Sequence, residues 1–497
     1  MGEHSIAVIG AGPGGLTAAM ILAHNGLNVT VFEKKDRVGG RNAPLHLGDF
    51  TFDTGPTFLM MKGVLEEVFK MAGTDPSDHL NLMPVDPLYR LKFPDVEFCP
   101  RSDPQKTREA IAETFPGNES GFDRFLETES RRYRSLLPCL KRDYSSLTSY
   151  LNATFLSALP RMSLGRSVFG NLGRYFDDER LKLCFSFQSK YLGMSPWDCP
   201  AFFTMLAYIE HAQGIYHVRG GLNRISTAMA DVARENGADI RLESPVERIS
   251  VSDGRATGVV LPDGKELDFD RVVINADFGH AVNTLLPADC LRRYSPDKLE
   301  NWNLSCSTFM LYLGVDRTYT DLPHHNVIFA EDYQRNVDEV METGCLPADP
   351  SFYVQNASVS DPTLAPEGQS TIYVLVPVPN TRADLDWDPI TDEYADTVIG
   401  LVEERGGFEG LRENIVRKKV ITPADWTDKY DVYRGTTFNL AHTLFQLLYF
   451  RPHNRFEEIG NCYLVGGGTH PGSGLPTIYE SGRISSELVL EDLSGQK

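Results

Sequence analysis

A glycine-rich turn near the start of the chain, GAGPGG at residues 10–15, constrains the fold more than any other feature. A short apolar run precedes it over residues 6–9, and an alanine- and leucine-rich stretch suited to a helix follows over residues 14–24. A second apolar run then ends at Glu33. Strand, turn, helix, strand and acid in this order are typical of the βαβ unit that binds a dinucleotide. We therefore predict an α/β, Rossmann-like domain with a parallel sheet.

Each glycine of this turn has a predicted role in binding the dinucleotide. Gly10 permits the tight turn, Gly12 lets the backbone approach a pyrophosphate, and Gly15 lets helix and strand pack closely. Gly14 opens the helix, whose free N–H groups and positive dipole end favour phosphate. The Glu33 carboxylate follows about twenty residues after the turn, where it can accept hydrogen bonds from both hydroxyls of an adenosine ribose.

A second motif indicates which dinucleotide is bound. The chain reads RVGGR over residues 37–41 and DTGPT over residues 53–57. The first run resembles the second FAD signature of the amine-oxidase-like flavoproteins, in which two glycines bring backbone N–H groups close to the diphosphate. Arg41 would add a fixed positive charge there; taken alone, it could equally belong to a solvated basic loop. We expect FAD as the cofactor, with Arg41 and Gly55 among its binding residues.

Composition and charge narrow the class of protein. A chain of 497 residues is too long for one simple core and suits two interleaved domains. The formal charge of −20, without an opposing basic cluster, argues against nucleic acid as a partner. Eight cysteines occur singly, without metal-ligand spacing, so we expect them to be reduced and buried and expect no metal site. No apolar run approaches the length of about twenty residues that spans a bilayer, and the first strand begins too close to Met1 for a signal peptide, so we expect a cytoplasmic protein.

The order of the predicted elements divides the chain into interleaved domains. The FAD-binding domain is predicted to be discontinuous, over residues 1–103, 215–290 and 456–497. Mainly helical patterns predict a cap that faces the membrane over residues 104–214. Strand-like apolar runs predict a sheet that floors the substrate cavity, within an inserted α+β substrate-binding domain over residues 291–455.

Two late stretches carry the most specific functional signals. FRPHNR occurs at residues 450–455, and GGGTHPGSGLP at residues 466–476. The second run is a glycine-rich loop between a buried strand and a helix, and its backbone can touch a planar ring. The helix N-terminus can lie against a flavin edge on which negative charge develops. We therefore predict that Gly467, Gly468 and Pro476 contact the cofactor.

Together these motifs closely resemble the bacterial-type phytoene desaturase family, the FAD-dependent carotenoid desaturases, over nearly the whole chain. Further matches are RGG at residues 219–221 and TPADW at residues 422–426. The resemblance implies hydride transfer to the flavin from an apolar isoprenoid chain, C30 or C40, such as 4,4'-diapophytoene or phytoene. It also implies that a strand around Val246 presents backbone groups to the adenine. Because no nicotinamide motif is present, we expect oxygen or a membrane quinone as electron acceptor.

The motifs do not identify the group that accepts the substrate proton. Family members are suspected of using an acid in the cap, but residues 146–151 offer only Ser and Thr near the expected place. Glu210 and His211 are the available acid/base pair, and a solvated turn of helix is the alternative interpretation. His470, in the Thr-His-Pro loop, is expected beside the flavin ring, where a catalytic role and a packing role both stay open.

A stretch over residues 151–175 has basic amphipathic character. It mixes apolar side chains with Arg161, Arg166 and Arg174 and contains no acid in an otherwise acidic chain. A polyene precursor dissolves in the bilayer, so we expect this stretch to contact the cytoplasmic membrane peripherally. A core-packing helix pair broken at Pro160 is the alternative. An exposed apolar mouth would also favour a homo-oligomer.

Other functions on the same scaffold remain open at this point. They are a carotenoid isomerase, a saturase, a terminal oxygenase, and a prenyl-chain carrier without flavin. The complete FAD motifs argue against the carrier. Two departures from the family pattern, TIYES at residues 477–481 and Val218 in place of a frequent Pro, leave the particular substrate and regiochemistry undecided.

Overall fold

A five-stranded parallel sheet organises the molecule, which is described over residues 4–495 in a computed structural model. Its central strand is the buried apolar run predicted before the glycine-rich turn. Strands from the start, middle and end of the chain join it, which confirms the α/β class and the parallel sheet. From edge to edge the strands are Cys462–Leu464, Arg271–Ile274, Ser5–Ile9, Asn28–Phe32 and Asp239–Arg241.

The helix Pro13–His24 is buried along nearly its whole length. Helix Leu475–Ser494 and helix Asn223–Glu235 both pack against it. Small residues permit this close approach, because a Cβ on Gly482 would lie 2.7 Å from the Gly14 carbonyl oxygen. The first and last helices of this domain are therefore held together beside the sheet.

A second, seven-stranded sheet forms the substrate-binding part of the molecule. Across the sheet the order is Ile415–Ile421, Ser307–Val315, Ser370–Val378, Phe352–Asn356, His325–Ile328, Arg90–Lys92 and Glu97–Phe98. The last two strands differ from our prediction, which assigned residues 1–103 to the FAD-binding domain. Asn326 is in register with Arg90, so this strand extends the other sheet. Strands of two or three residues carry no local signal that specifies their partner, since pairing is set over long range.

Three smaller sheets complete the strands. They are Arg248–Ser252 with Arg255–Val260 and Glu266–Asp268, Pro44–Leu47 with Phe50–Asp53, and Leu82–Val85 with Ile215–Val218. The predicted strand around Val246 is wrong in its boundary, because Val246 lies in extended chain before the strand that begins at Arg248. Pro245 has no backbone N–H to donate, so the pairing of this strand with its neighbour begins further along the chain.

Helices build the cap and cover the two large sheets. In the cap they are Pro104–Thr114, Glu119–Leu140, Ala153–Ala158, Val168–Leu172, Glu179–Cys184 and Met205–Gln213, with 3₁₀ turns Leu147–Leu151, Leu159–Arg161 and Phe187–Leu192. The longer helices elsewhere are Lys62–Met71, Tyr333–Asp338, Trp387–Glu404 and Pro423–Tyr430, and the short ones are Phe278–His280, Pro296–Leu299 and Leu411–Asn414. Within residues 4–495, no helix is both long enough and apolar enough to cross a bilayer.

The cysteines differ in part from the prediction. All eight are free thiols, and five are buried. Cys99 and Cys290 are only partly buried and Cys345 is exposed, because each lies in a short surface segment rather than in a core element.

Candidate active site

A cavity of about 890 Å³ is lined by residues of both large sheets, the cap and the last helix. The part bordered by Gly10, Gly12, Glu33 and Arg41 is called the dinucleotide region. The remaining part is called the aromatic region, and its rings are Phe58, Phe187, Tyr191, Phe329, Tyr333 and Tyr353. One continuous space therefore connects the glycine-rich turn with an aromatic, largely apolar chamber.

The glycines of the first turn leave no room for side chains. A Cβ on Gly15 would lie 2.2 Å from the Gly10 carbonyl oxygen, so helix and strand are in direct backbone contact. Gly10 itself has a φ of +96°, which only glycine adopts without strain. Cβ atoms on Gly12 and Gly14 would each lie 2.8 Å from the Asn275 side-chain amide. Of the four glycines, Gly10 and Gly12 line the cavity, whereas Gly14 and Gly15 support it from behind.

Glu33 lies at the end of its strand, where the ribose of a dinucleotide is expected. One carboxylate oxygen accepts a hydrogen bond of 2.8 Å from the Ala11 N–H, and the other accepts one of 2.9 Å from the Lys35 N–H. These bonds fix the orientation of a buried carboxylate that also lines the cavity. Each oxygen keeps a lone pair that can accept a ribose hydroxyl.

Two helix N-termini open into the same cavity. Helix Pro13–His24 begins after Gly12, and helix Leu475–Ser494 begins after Gly474. Within the described chain, no side chain caps either of them, and neither has an acid in its first turn. Their first N–H groups therefore remain available for phosphate or for an electron-rich ring edge. Pro476, predicted to contact the cofactor, lies at the second of these termini and lines the cavity.

The second predicted FAD motif lies over the first. The Gly39 N–H donates a 2.8 Å hydrogen bond to the Ala11 carbonyl, which attaches this loop to the glycine-rich turn. Arg41 lines the cavity and donates a 2.7 Å hydrogen bond from Nη1 to the Thr437 carbonyl, so its guanidinium is held at the cavity wall. Gly55 and Val246 also line the cavity.

The C-terminal loop is fixed by Arg451, a residue of the FRPHNR motif. This arginine is fully buried, and among the described residues its guanidinium donates only to backbone carbonyls. Two of these are in the loop, Thr469 at 3.0 Å and Gly467 at 2.5 Å. Burial lowers the pKa of Arg451 to about 9. Gly467 lines the cavity, whereas Gly468 does not. Gly468 packs closely against Phe278, where a Cβ on the glycine would lie 2.5 Å from the Phe278 Cβ atom.

His470 does not line the cavity. Its ring is buried and contacts the edge of Tyr144 at a centroid distance of 5.6 Å, and Nε2 has no hydrogen-bond partner among the described residues. Burial lowers the pKa of His470 to about 4, so the ring is neutral at pH 7. The Asn454 amide donates to the His470 carbonyl at 3.1 Å. His470 is therefore packed against Tyr144 within the protein, and a catalytic role for it stays a prediction.

Glu210 and His211 are both buried, so the alternative of a solvated turn is wrong. Glu210 accepts hydrogen bonds from Gln188 at 2.8 Å and from the Tyr89 hydroxyl at 3.1 Å. Burial raises the pKa of Glu210 to about 7. His211 stacks on Phe185 at a centroid distance of 4.9 Å, and burial lowers its pKa to about 3.

Neither Glu210 nor His211 lines the cavity. Tyr191 lies beside the Glu210 carboxyl and does line it, so this acid can influence the aromatic region only through that phenol. His211 is a neutral ring within an aromatic cluster of the cap.

Sequence reasoning missed two polar residues of the cavity. Asn275 donates from Nδ2 to the Gly10 carbonyl at 3.1 Å and fills the space between the glycines and the C-terminal loop. Asp277 accepts from the Asn439 side chain at 2.6 Å and from the Tyr433 N–H at 3.2 Å. Asn275 directly follows the strand Arg271–Ile274, and Asp277 comes two residues later. Polar residues at the carboxyl end of a parallel strand were the available signal.

The residues present fit FAD. The uncapped helix N-termini, the oriented Glu33 carboxylate and the Arg41 guanidinium supply donors and acceptors for a diphosphate and a ribose along one continuous cavity. The glycine-lined C-terminal loop offers a flat surface next to the aromatic region, as an isoalloxazine ring requires.

Comparisons with known proteins agree with this geometry. The family model described as flavin-containing amine oxidoreductase matches residues 13–490. A 4,4'-diapophytoene desaturase (4,4'-diapolycopene-forming) from Methylomonas sp is 51% identical over 97% of this chain and 94% of its own length. An all-trans-zeta-carotene desaturase from Myxococcus xanthus is 37% identical over 98% of this chain and 93% of its own. Among solved structures, a putrescine oxidase with bound putrescine superposes with a TM-score of 0.64 at 15% identity, covering 99% of both chains.

Proposed function

This chain belongs to the carotenoid desaturases of the flavin-containing amine oxidoreductase family, and we propose that its substrate is the C30 hydrocarbon 4,4'-diapophytoene. The observation that carries this proposal is the 51% identity, over nearly the full length of both chains, to an enzyme named for that substrate. The zeta-carotene desaturase from Myxococcus xanthus is less similar to this chain than that enzyme, at 37%.

The aromatic region supports a hydrocarbon substrate. Its rings contact one another, with centroid distances of 5.4 Å from Phe58 to both Tyr191 and Tyr353. Such a wall excludes water and offers apolar and π surfaces to a polyene. When bound, FAD supplies the hydride acceptor, and the chain's own residues hold the substrate against it.

A flavin-free prenyl carrier is not supported. Such a protein has no use for an oriented Glu33 carboxylate or for two uncapped helix N-termini that open into the cavity. The isomerase, saturase and oxygenase alternatives use the same cofactor site and are therefore distinguished by their products.

Pigment formation tests the proposal. The gene is expressed in cells that accumulate either 4,4'-diapophytoene or phytoene, and the extracts are analysed by absorbance and mass. We expect a long-wavelength polyene, lighter by two hydrogens per new double bond, in the first strain. Conversion of phytoene alone would overturn the choice of chain length. An unreduced hydrogen count in both strains would favour an isomerase, and added oxygen atoms an oxygenase.

We propose oxygen or a quinone as the electron acceptor, because the chain has no second dinucleotide motif. Anaerobic incubation with and without a soluble quinone distinguishes these two. Product formation that needs neither would contradict this assignment.

We also propose that the cap binds the membrane peripherally. In the predicted stretch Leu151, Leu156 and Leu164 are exposed, and so are the three arginines of that stretch. A second segment, over residues 444–450, exposes Phe445 to 79%. Tyr150 and Tyr449 join the two segments at a ring distance of 6.4 Å.

The alternative interpretation of residues 151–175, packing against the core, describes the inward-facing side of this stretch. Phe155 and Met162 are buried there, so the stretch packs inward and presents leucines and arginines outward. Exposed apolar groups flanked by arginines suit an interface with anionic lipid.

Vesicle co-sedimentation tests the membrane contact. Replacing Leu156 and Phe445 by Ser should lower binding to anionic phosphatidylglycerol vesicles at least about fivefold, because both apolar insertions are lost. Val416, exposed on a strand of the substrate-binding sheet, is the matched control for Ser substitution. Unchanged binding by the double variant would refute this surface.

A further inference from the structure

The aromatic region contains few groups that could hold a proton. The rings that define this region are hydrocarbon or phenolic, and the amine of Lys190 lines the cavity beside one of them, Tyr333. Carboxylates and an imidazole do line the cavity, but they lie around Lys34, Lys35 and Arg41 in the dinucleotide region; they are Glu33, Asp36, Asp277, His280, Asp425 and Asp431. Glu210, His211 and His470 do not line the cavity. The phenols are poor bases, and burial raises the pKa of Tyr191, Tyr333 and Tyr353 well above the usual 10.

Lys190 is held at the wall by a rigid segment. It lies on the 3₁₀ turn Phe187–Leu192, which ends at Gly193 with a φ of +63°. A Cβ on Gly193 would lie 2.6 Å from the Ser305 side chain and 2.7 Å from that of Phe438. Phe438 also lines the cavity, and its carbonyl accepts a hydrogen bond from Ser473 of the C-terminal loop. The turn is thus packed between the substrate-binding sheet and the predicted flavin loop.

The surroundings of the Lys190 amine favour its neutral form. Its nitrogen lies 5.8 Å from the ring centroid of Tyr333, and no ion pair within residues 4–495 includes it. The titratable groups that face it are the Tyr333 phenol and the Cys306 thiol. Burial lowers the pKa of Lys190, and the Cys306 thiol only partly opposes this. Burial also raises the pKa of Cys306 to about 11, so that neighbour is neutral at pH 7.

We propose that Lys190 is a catalytic residue that accepts the proton lost by the substrate during desaturation. The inference rests on the proposed desaturase function. One substrate carbon would give up a hydride, which FAD would accept when bound, and the C–H bond of its neighbour would break heterolytically. The electron pair of that bond becomes the second bond of the new C=C. The Lys190 lone pair takes the proton, and the resulting ammonium returns it to water when product leaves.

Three variants separate this role from a structural one. Lys190→Met keeps the length of the side chain but cannot accept a proton, and kcat should fall at least about 100-fold with KM nearly unchanged. Lys190→Arg can keep a side-chain contact with Tyr333 but stays protonated at all working pH values, so it should be equally inactive. A structural cation–π role predicts instead that Arg restores activity.

Lys182 supplies the matched control. It lies in the same cap, with its nitrogen 5.1 Å from the Phe169 ring centroid, and does not line the cavity. Lys182→Met should keep wild-type kcat. Retained FAD absorbance in every variant shows that the fold and cofactor site persist.

A chemical readout tests Lys190 without turnover. The wild-type holoprotein is acetylated with acetic anhydride over a pH series, and labelling is mapped by mass spectrometry. Lys190 should reach half-maximal reactivity at a lower pH than the exposed Lys106. An equal or higher pH would overturn the inference, as would activity in Lys190→Met. A wild-type protein without desaturase activity but with this early labelling would refute the proposed function and leave the neutral amine established.

Discussion

The buried Glu210 carboxyl makes the stability of the protein depend on pH in a way that Glu210→Gln should abolish. Burial raises the pKa of this group from the usual 4.5 to about 7. Each pKa unit corresponds to 1.36 kcal/mol. The folded protein is therefore more stable by about 3 kcal/mol with Glu210 protonated than with Glu210 ionised. Because folding raises the pKa of Glu210, the contribution of this group to the unfolding free energy is fully present below pH 4.5 and is lost as the pH rises through 7. Glutamine keeps an oxygen for the Gln188 and Tyr89 donors and cannot ionise.

The unfolding free energy of Glu210→Gln, relative to wild type, should therefore increase by about 3 kcal/mol between pH 4.5 and pH 8. Denaturant unfolding followed by tryptophan fluorescence, with saturating FAD, measures this difference. Glu127→Gln, an exposed carboxylate of the same cap, is the control and should show no comparable trend. An infrared band of a protonated carboxyl at pH 6, present in wild type and absent from Glu210→Gln, provides a second check. A difference that stays flat across this range would refute the reasoning.

Two further predictions concern the cofactor site. Gly15→Ala should yield protein without the colour of bound flavin, because the added methyl group would lie 2.2 Å from the Gly10 carbonyl oxygen. The control is Gly63→Ala, whose methyl group meets nothing within 4 Å and which should keep its flavin spectrum. Arg451→Met should lower the unfolding free energy by about 3 kcal/mol or more and release FAD at a lower temperature in a thermal scan, since it leaves several buried carbonyls unpaired. Wild-type stability of Arg451→Met would contradict its assignment as the residue that fixes the C-terminal loop.

The parallel sheet and the dinucleotide region could be predicted from the sequence because their determinants are local. The Gly10 to Gly15 turn, its flanking apolar runs and Glu33 occur within one βαβ unit, so spacing along the chain fixes their spacing in the molecule. The cap was predicted as a helical, membrane-facing region with a basic amphipathic stretch over residues 151–175, without the side chains that each face would present. Its inward packing and outward leucines depend on contacts with distant parts of the chain, such as Tyr150 with Tyr449.

Proton chemistry was the part that sequence patterns could not locate, and the reason is geometric. Glu210 and His211 are adjacent titratable residues and are therefore conspicuous in the sequence. The helix that carries them, Met205–Gln213, buries Glu210 beside Tyr191 and His211 among other rings of the cap. Lys190 has no motif around it, and one lysine in a chain is usually a solvated charge. Its turn lies at the cavity wall, next to Gly193, which packs closely against Ser305 and Phe438. A base that acts on a hydrocarbon substrate must be uncharged and shielded from water. Both properties depend on how the folded protein buries the residue, and the residue type alone does not determine them.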